Sequence, residues 1–207
     1  FRAAQFSEET ASKRRYHQLR SNASWIGQVV DGHHPTTQPT YGDVRTDSPL
    51  IFDEVAELGS FGGLYSLDPL MPLAERVGVA VTTAALDEAP PLDVISAFGK
   101  LEHQHSPQAF LEQLHHHVAP GGLLFLTTRT CSGFDLQVLW DKAPYIIVPE
   151  HLNLMSIAGL EQLIHRSGFE LVELSTPGQL DVELVLQACA ADPSIVMPRF
   201  IQTLLAE

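Results

Sequence analysis

Residues 93–128, DVISAFGKLEHQHSPQAFLEQLHHHVAPGGLLFLTT, decide the fold of this chain. Residues 93–96 are rich in β-branched side chains and too few for a helix, so they predict a buried strand. Ser106-Pro107 is typical of a helix start, and apolar residues follow it at helical spacing. Pro120-Gly121-Gly122 predicts the end of that helix, and residues 123–128 are again strand-like. The order strand, helix, strand indicates a right-handed parallel crossover.

Length and charge limit the class of function. At 207 residues the chain suits one α/β domain with a modest extension. Its formal net charge of −13 argues against a polyanionic partner, since phosphate binding needs clustered Lys and Arg. We therefore expect no nucleic acid partner.

Cysteine use and hydropathy predict a cytoplasmic protein. Cys131 and Cys189 lie far apart without the spacing of a metal or redox motif, so free thiols in a reducing compartment are expected. No apolar run approaches membrane-spanning length, and the N-terminus lacks the apolar core of a secretory signal. We expect no membrane partner.

The C-terminal part of the chain predicts a hairpin. Residues 169–174 have strand composition, and Thr176-Pro177-Gly178-Gln179 has proline and glycine where a type II turn prefers them. Residues 181–188 are then expected to form a return strand. Because the turn is tight, the pair is predicted to be antiparallel.

Several segments of the chain form a series with a characteristic order and spacing. They are Asp93-Val94-Ile95, Leu101-Glu102-His103, Ala119-Pro120-Gly121-Gly122, Phe125-Leu126-Thr127-Thr128, Pro149-Glu150-His151-Leu152-Asn153 and Thr176-Pro177-Gly178-Gln179. This series resembles class I S-adenosylmethionine-dependent methyltransferases of the small-molecule type, most of all ubiquinone-biosynthesis and surface-polysaccharide methyltransferases. The resemblance implies a three-layer Rossmann-like α/β fold, mostly parallel with the antiparallel hairpin. It also implies S-adenosyl-L-methionine as cofactor and S-adenosyl-L-homocysteine as product.

Residues 1–48 are expected to precede the methyltransferase domain, which is predicted over 49–207. A helix is predicted from Ser7 to about residue 20, a second near residues 25–30, and a lid-like loop over the turn-rich residues 33–49. In similar methyltransferases such helices cover the cofactor and substrate. Composition equally allows a solvated appendage or a homodimer contact.

The cofactor is expected beside the first two strands of the core. The first strand is predicted at residues 54–58, and the resemblance implies cofactor contacts at Glu57, Gly59 and Gly62 in the glycine-rich turn that follows. The next strand ends at Asp68, where the family has the carboxylate that accepts from both ribose hydroxyls. An ordinary turn explains either segment as well. The arrangement requires Asp68 and Gly59 to lie side by side.

The connection between these two strands is too short for a parallel crossover. Either the two runs are not adjacent parallel strands, or a segment near residues 61–63 is absent; the second explanation is favoured. Farther along, the resemblance implies adenine contacts at Ala85 and Leu86. It also implies that Phe98 lines the cleft where the methyl group is transferred.

His103 is the main candidate for acid–base chemistry, because a neutral imidazole can accept a proton from a substrate hydroxyl as the methyl group moves. The alternative is that Glu102 and His103 only pin the following helix. In ubiquinone-type relatives this pair and an acid four residues before Glu102 hold a divalent ion. Phe98 occupies that position here, so we predict no metal. His151 resembles a family position near the acceptor and is a second candidate, as base or orienting group.

The acceptor pocket is expected to use Glu102, Trp140, Tyr145 and Asn153. In related enzymes the region after the fifth strand shapes this pocket, and aromatic side chains there would dock a flat or apolar substrate face. Ordinary packing over the sheet edge is the alternative. The predicted activity is methyl transfer to an oxygen or nitrogen of a small molecule, such as a sugar or a polyketide-like metabolite.

Rival functions differ in their motifs. A nicotinamide oxidoreductase is disfavoured because the chain has neither G-x-G-x-x-G nor a Tyr-x-x-x-Lys pair, and the phosphate-loop signature is missing as well. The remaining rival is a methyltransferase-like binding or assembly subunit that has lost its catalytic cleft. Binding of S-adenosylmethionine separates the two.

Overall fold

The computed structural model describes residues 8–33, 37–46, 48–70, 78–143, 146–176 and 182–204. These residues divide into two compact units. The first runs to Leu101 and includes Ala109–Thr128, and the second comprises Glu102–Gln108 and Arg129–Glu207. Among the described residues, no helix is long and apolar enough to cross a membrane.

A parallel sheet forms the centre of the first unit. Its strands are β1 (Thr40–Val44), β2 (Gly63–Leu67), β3 (Thr82–Ala84), β4 (Leu92–Phe98) and β5 (Val118–Thr127). The strand order is β3-β2-β1-β4-β5, and neighbouring strands pair in parallel. The predicted order strand, helix, strand is confirmed as β4, a helix α3 (Pro107–His117) and β5. The helix ends before Pro120-Gly121-Gly122, and these residues lie within β5 rather than at the end of the helix. This doubly wound arrangement brings the carboxyl ends of β1, β2 and β4 to one edge.

Two helices cover one face of this sheet. Helix α1 (Glu8–His33) is one continuous element rather than the two predicted pieces, and α2 (Leu50–Glu57) follows β1. Ile26 in α1 and Phe52 in α2 are fully buried in the same apolar cluster. The prediction of a strand at residues 54–58 is therefore wrong. Ile51, Phe52 and Val55 recur at helical spacing and are the buried side chains of α2.

The first strand lies in the stretch that was expected to be a loop. Pro39 and Gly42 suggest turns, but β1 is the central strand of the sheet. Gly42 leaves room there for two buried leucines, because a Cβ would lie 2.5 Å from the Cδ1 atom of Leu92 and 3.1 Å from that of Leu67, so these side chains would have to shift. The crossover from β1 to β2 contains α2, so the idea of an absent segment is not needed.

Replacing Gly42 by alanine is expected to destabilise the protein by about 1–3 kcal/mol, because the added methyl group overpacks the sheet face. Gly63→Ala is the matched control, since its Cβ would meet its nearest neighbour at 3.4 Å, an ordinary contact. Urea unfolding of both variants measures the difference. Equal loss in the two would contradict the close-approach explanation.

The second unit contains short helices, several of which pack around an apolar cluster. The helices in this cluster are α4 (Phe134–Leu139), α6 (Val182–Ala191) and α7 (Arg199–Leu204), and α5 (Ile157–Arg166) lies between α4 and α6 in the sequence. The Lys142 ammonium donates to the Asp192 carboxylate at 2.5 Å and to the Ser194 hydroxyl at 2.6 Å, joining the turn after α4 to the end of α6. The hydrogen bonds from Lys142 and Ser194 lower the pKa of Asp192 to about 2.

The predicted C-terminal antiparallel hairpin is wrong. Residues 169–174 carry no strand, and most of the expected return strand lies in helix α6. Val185 is fully buried, and Leu184, Ala188 and Cys189 pack on the same cluster at helical spacing, which explains the helix. The predicted turn at residues 176–179 falls mainly outside the described residues.

Candidate functional site

Asp68 and Leu86, both predicted to contact the cofactor, lie together at the carboxyl end of the sheet. Asp68 follows β2 directly and has a left-handed backbone with φ of 47°. Its Oδ1 atom accepts a hydrogen bond from the Leu86 backbone N–H at 3.0 Å. The Leu86 side chain is buried, whereas Ala85 is exposed. The hydrogen bond orients the Asp68 carboxylate at this edge.

Glu57, Gly59 and Gly62 lie elsewhere. They end α2 and lead into the amino-terminal end of β2, where the Gly62 backbone N–H donates to the Pro39 carbonyl at 3.0 Å. Asp68 follows the other end of the same strand, so Gly59 and Asp68 are not side by side. These three residues were predicted at the cofactor because they were expected to follow the first strand of the core. The first strand is β1, so that reason is wrong.

Arg45 and Thr46 occupy the turn after β1, where a glycine-rich bend was expected. Arg45 has a left-handed backbone with φ of 51°, a conformation that favours glycine. Its guanidinium carbon lies 5.8 Å from the centroid of the Phe110 ring. Thr46 is fully buried, and its hydroxyl donates to the Asp43 carbonyl and accepts from Ser66. Side chains therefore fill space at this turn that glycines would leave open.

A buried hydrogen-bond chain connects β1 to β4 near the same edge. Ser96 donates its hydroxyl to the Asp43 carboxylate at 2.6 Å, so the Tyr41 hydroxyl, 2.7 Å from the Ser96 oxygen, is the donor to it. Burial, and then the charge of Asp43, raise the pKa of Tyr41 well above its usual value. The Tyr41 hydroxyl therefore keeps its proton and can donate it to the Ser96 oxygen. Sequence reasoning missed Asp43 because β1 was read as a loop.

In the second unit, the segment around His151 is hydrogen-bonded to the segment around His103. The Glu102 carbonyl accepts from the backbone N–H groups of Leu152 at 2.8 Å and Asn153 at 3.1 Å. The two imidazole rings stack with centroids 5.0 Å apart and planes tilted by 30°. The structure therefore brings together two residues that the sequence placed 48 positions apart. Glu102 is buried, His151 is half-buried and His103 is exposed.

The hydrogen-bond partners assign a proton to each ring. His103 Nδ1 lies 2.8 Å from the Glu150 carbonyl oxygen, which can only accept, so Nδ1 carries the proton and Nε2 a lone pair. His151 Nδ1 accepts from the Ile147 backbone N–H at 2.8 Å, so its proton is on Nε2. Burial and the charges of Arg129 and His103 lower the pKa of His151, against the opposing effect of Glu102 and Glu150. The two rings thus have opposite tautomers.

Glu102, His103 and His151 also form a group that could hold a metal ion. One ligand atom from each lies within 4.8 Å of the others, as judged on the described residues alone. However, His151 uses its Nδ1 lone pair for the Ile147 N–H and has a proton on Nε2, so its ring offers no lone pair to an ion. The absence of a metal remains our prediction.

An open cavity of about 530 Å³ lies between the start of α3 and one side of α5, along the length of that helix. Asn153 lines it, and the side-chain amide of Asn153 donates to the Gln104 carbonyl. Ser156 caps α5 as expected from the sequence, accepting from the Gly159 backbone N–H at 3.1 Å. Trp140 is 75% exposed, and Tyr145 lies outside the described residues.

A sequence model of the "Methyltransferase domain" family matches residues 15–174, most of the chain. The chain belongs to this family. The class I, S-adenosylmethionine-dependent methyltransferase identity expected from the residues around Glu102-His103 is thereby confirmed, although the supporting hairpin is not.

Individual relatives agree with this assignment. The chain is 32% identical over 91 residues to a tRNA U34 carboxymethyltransferase of Campylobacter lari, covering 44% of this chain and 31% of that protein. It is 26% identical over 129 residues to a ubiquinone biosynthesis O-methyltransferase of Xylella fastidiosa, covering 59% and 52%. The chain thus spans about half or less of these curated relatives.

A solved structure shows the same fold. The plantazolicin methyltransferase BpumL in complex with S-adenosylhomocysteine aligns with a TM-score of 0.62 at 12% identity, over 90% of this chain and 85% of that one. Membership of the methyltransferase family indicates S-adenosylmethionine as the cofactor. Asp68 suits the ribose hydroxyls of such a cofactor, because its carboxylate is already oriented by Leu86.

Proposed function

We propose that the protein transfers a methyl group from S-adenosylmethionine to an oxygen or nitrogen of a small molecule, with His103 as the proton acceptor. A sugar or a polyketide-like metabolite is the proposed acceptor class. The observation that carries this proposal is the tautomer of His103. Its Nδ1–H is held by the Glu150 carbonyl, which leaves the Nε2 lone pair of an exposed ring available for a proton.

The chain's own residues have separate tasks in this reaction. The bound cofactor supplies an electrophilic methyl group. Asp68 would hold the ribose hydroxyls, with Leu86 beside it as an apolar contact. His103 Nε2 would take the proton that the acceptor loses. Most of the acceleration would come from alignment of the reacting atoms, as in other reactions that join two substrates.

A small acceptor fits this chain better than tRNA does, although relatives include tRNA-modifying enzymes. The net charge of −13 opposes a polyanion, because phosphate contacts require clustered cations. The cavity lined by Asn153, about 530 Å³, has the size of small-molecule sites. Trp140 presents an exposed aromatic face, in keeping with its proposed contact to an apolar acceptor.

The alternative is a methyltransferase-like binding or assembly subunit without catalytic activity. Arg45 and the buried Thr46 favour it, because their side chains stand where glycines were expected to let the backbone approach the cofactor. The two functions differ in one property, since a subunit that has lost its cleft binds no cofactor.

Transfer of labelled methyl groups tests the proposal. The protein is incubated with methyl-labelled S-adenosylmethionine and a panel of sugars, polyketide-type phenols and bulk tRNA. We expect label in a small molecule and none in tRNA. Label in tRNA would overturn the acceptor class, and no transfer together with no cofactor binding would favour the alternative.

A further inference from the structure

We propose that His151 is a fixed hydrogen-bond donor, paired with the acceptor nitrogen of His103, and that the pair selects a hydroxyl group as the methyl acceptor. This inference rests on the proposed function and narrows it from oxygen or nitrogen to a hydroxyl oxygen. It also removes His151 from the candidates for a general base.

The backbone determines which nitrogen of His151 is protonated. The Ile147 N–H donates to Nδ1 at 2.8 Å, and an N–H group cannot serve as an acceptor. A neutral imidazole has one proton, so it must be on Nε2. His151 therefore presents a donor where His103, whose Nδ1–H faces the Glu150 carbonyl, presents a lone pair.

The spacing of the two rings suits one small polar group. Their centroids are 5.0 Å apart, and one nitrogen of each ring lies within 4.8 Å of one nitrogen of the other. We take these to be the two Nε2 atoms, because each Nδ1 is already bonded to the backbone. An oxygen that makes two hydrogen bonds of about 2.8 Å at a tetrahedral angle spans roughly 4.6 Å. A hydroxyl can therefore donate to one histidine and accept from the other.

An amine does not match this pair as well. A conjugated amine donates through its N–H groups, but its nitrogen lone pair is delocalised and a poor acceptor, and an alkylammonium group has no lone pair. With either group the Nε2–H of His151 would have no acceptor in the bound molecule, which weakens binding. The histidine pair therefore favours a hydroxyl over an amine in two ways. A hydroxyl satisfies the Nε2–H of His151, and an amine leaves that donor without an acceptor.

Two substitutions separate the donor role of His151 from its structural role. In His151→Gln the side-chain amide places an N–H near the position of Nε2, so the donor is kept while the acceptor for Ile147 is lost. In His151→Asn the amide oxygen takes the position of Nδ1, so the bond from Ile147 is kept while the donor is lost. A purely structural residue would tolerate Asn better than Gln.

Nitrogen-15 NMR of the full chain in buffer with chelator tests the tautomer without any cofactor. We expect the long-range spectrum of His151 to show the Nε2–H form and that of His103 the Nδ1–H form. An Nδ1–H form of His151 would overturn the proposal. A joint change in the ring-nitrogen signals of both histidines, when Zn²⁺ replaces the chelator, would also overturn it. Metal binding by His151 needs the Nδ1 lone pair that accepts the Ile147 N–H.

Phenol and aniline, two probes of the same shape, test the selection. We expect the wild type to bind phenol about tenfold better than aniline, as one matched hydrogen bond provides. His151→Gln should keep this preference for phenol over aniline, and His151→Asn should abolish it. An unchanged ratio in His151→Asn, or its loss in His151→Gln alone, would overturn the inference. This binding experiment contains no methyl donor. Its result therefore does not depend on whether the protein transfers methyl groups.

Discussion

Replacement of His103 by alanine is expected to slow methyl transfer by about 10²-fold or more, the usual contribution of a positioned general base. The affinity for S-adenosylmethionine should not change, because the cofactor contacts proposed here belong to Asp68 and Leu86. Single-turnover rates and calorimetric dissociation constants measure the two quantities on the same preparation.

His103→Asn distinguishes catalysis from helix pinning. Its side-chain amide can still donate to the Glu150 carbonyl in place of Nδ1, but it has no basic nitrogen at the position of Nε2. We expect it to be as slow as the alanine variant and more stable. His116→Ala is the control, since that exposed ring bonds to the Glu112 carbonyl of its own helix and has no role in the proposed site. An asparagine variant with normal turnover would leave His103 a purely structural role.

Replacement of Asp68 by alanine is expected to weaken S-adenosylmethionine binding by about 10²-fold, since hydrogen bonds to a charged group contribute about 1.5–3 kcal/mol each. The ribose hydroxyls would lose their acceptor, and Leu86 would lose the partner of its backbone N–H. Calorimetry on the folded variant measures the change.

Asp68→Asn distinguishes the proposed cofactor contact of this side chain from its hydrogen bond to the Leu86 backbone. Asparagine tolerates the left-handed conformation of this position, φ of 47°, and its amide oxygen can still accept from Leu86. We expect a melting temperature close to that of the wild type and an affinity lowered by about tenfold, because the charge and one acceptor are lost. Wild-type affinity in both variants would exclude Asp68 from the cofactor site.

The part of the fold that was predictable is the part with unambiguous local signals. Residues 93–128 combine a β-branched run, a Ser-Pro helix start and a second strand, and all three elements are present. Strand β1 was missed because Pro39 and Gly42 suggest turns, whereas Gly42 is there to admit Leu92 and Leu67. Helix α6 was missed because a short apolar run rich in valine fits a strand or a buried helix equally well.

The sequence predicted several residues that the structure brings together, but it did not predict how they are arranged. Sequence reasoning singled out His103 and His151 separately, but the stacking of their rings depends on backbone contacts between segments far apart in sequence. Their tautomers depend on the Glu150 carbonyl and the Ile147 N–H, which no residue type reveals. Asp68 was placed correctly at a strand end, and its expected glycine partner was placed at the wrong end of that strand.

Binding of S-adenosylmethionine and S-adenosylhomocysteine to the wild-type protein, measured by titration calorimetry, tests the central claim that the carboxyl ends of β1 and β2 form a working cofactor site. The account predicts saturable binding of both compounds at one molecule per chain, weakened by Asp68→Asn. Absence of heat with either compound, from a protein shown to be folded, would contradict it and favour the non-catalytic subunit that Arg45 and Thr46 suggest.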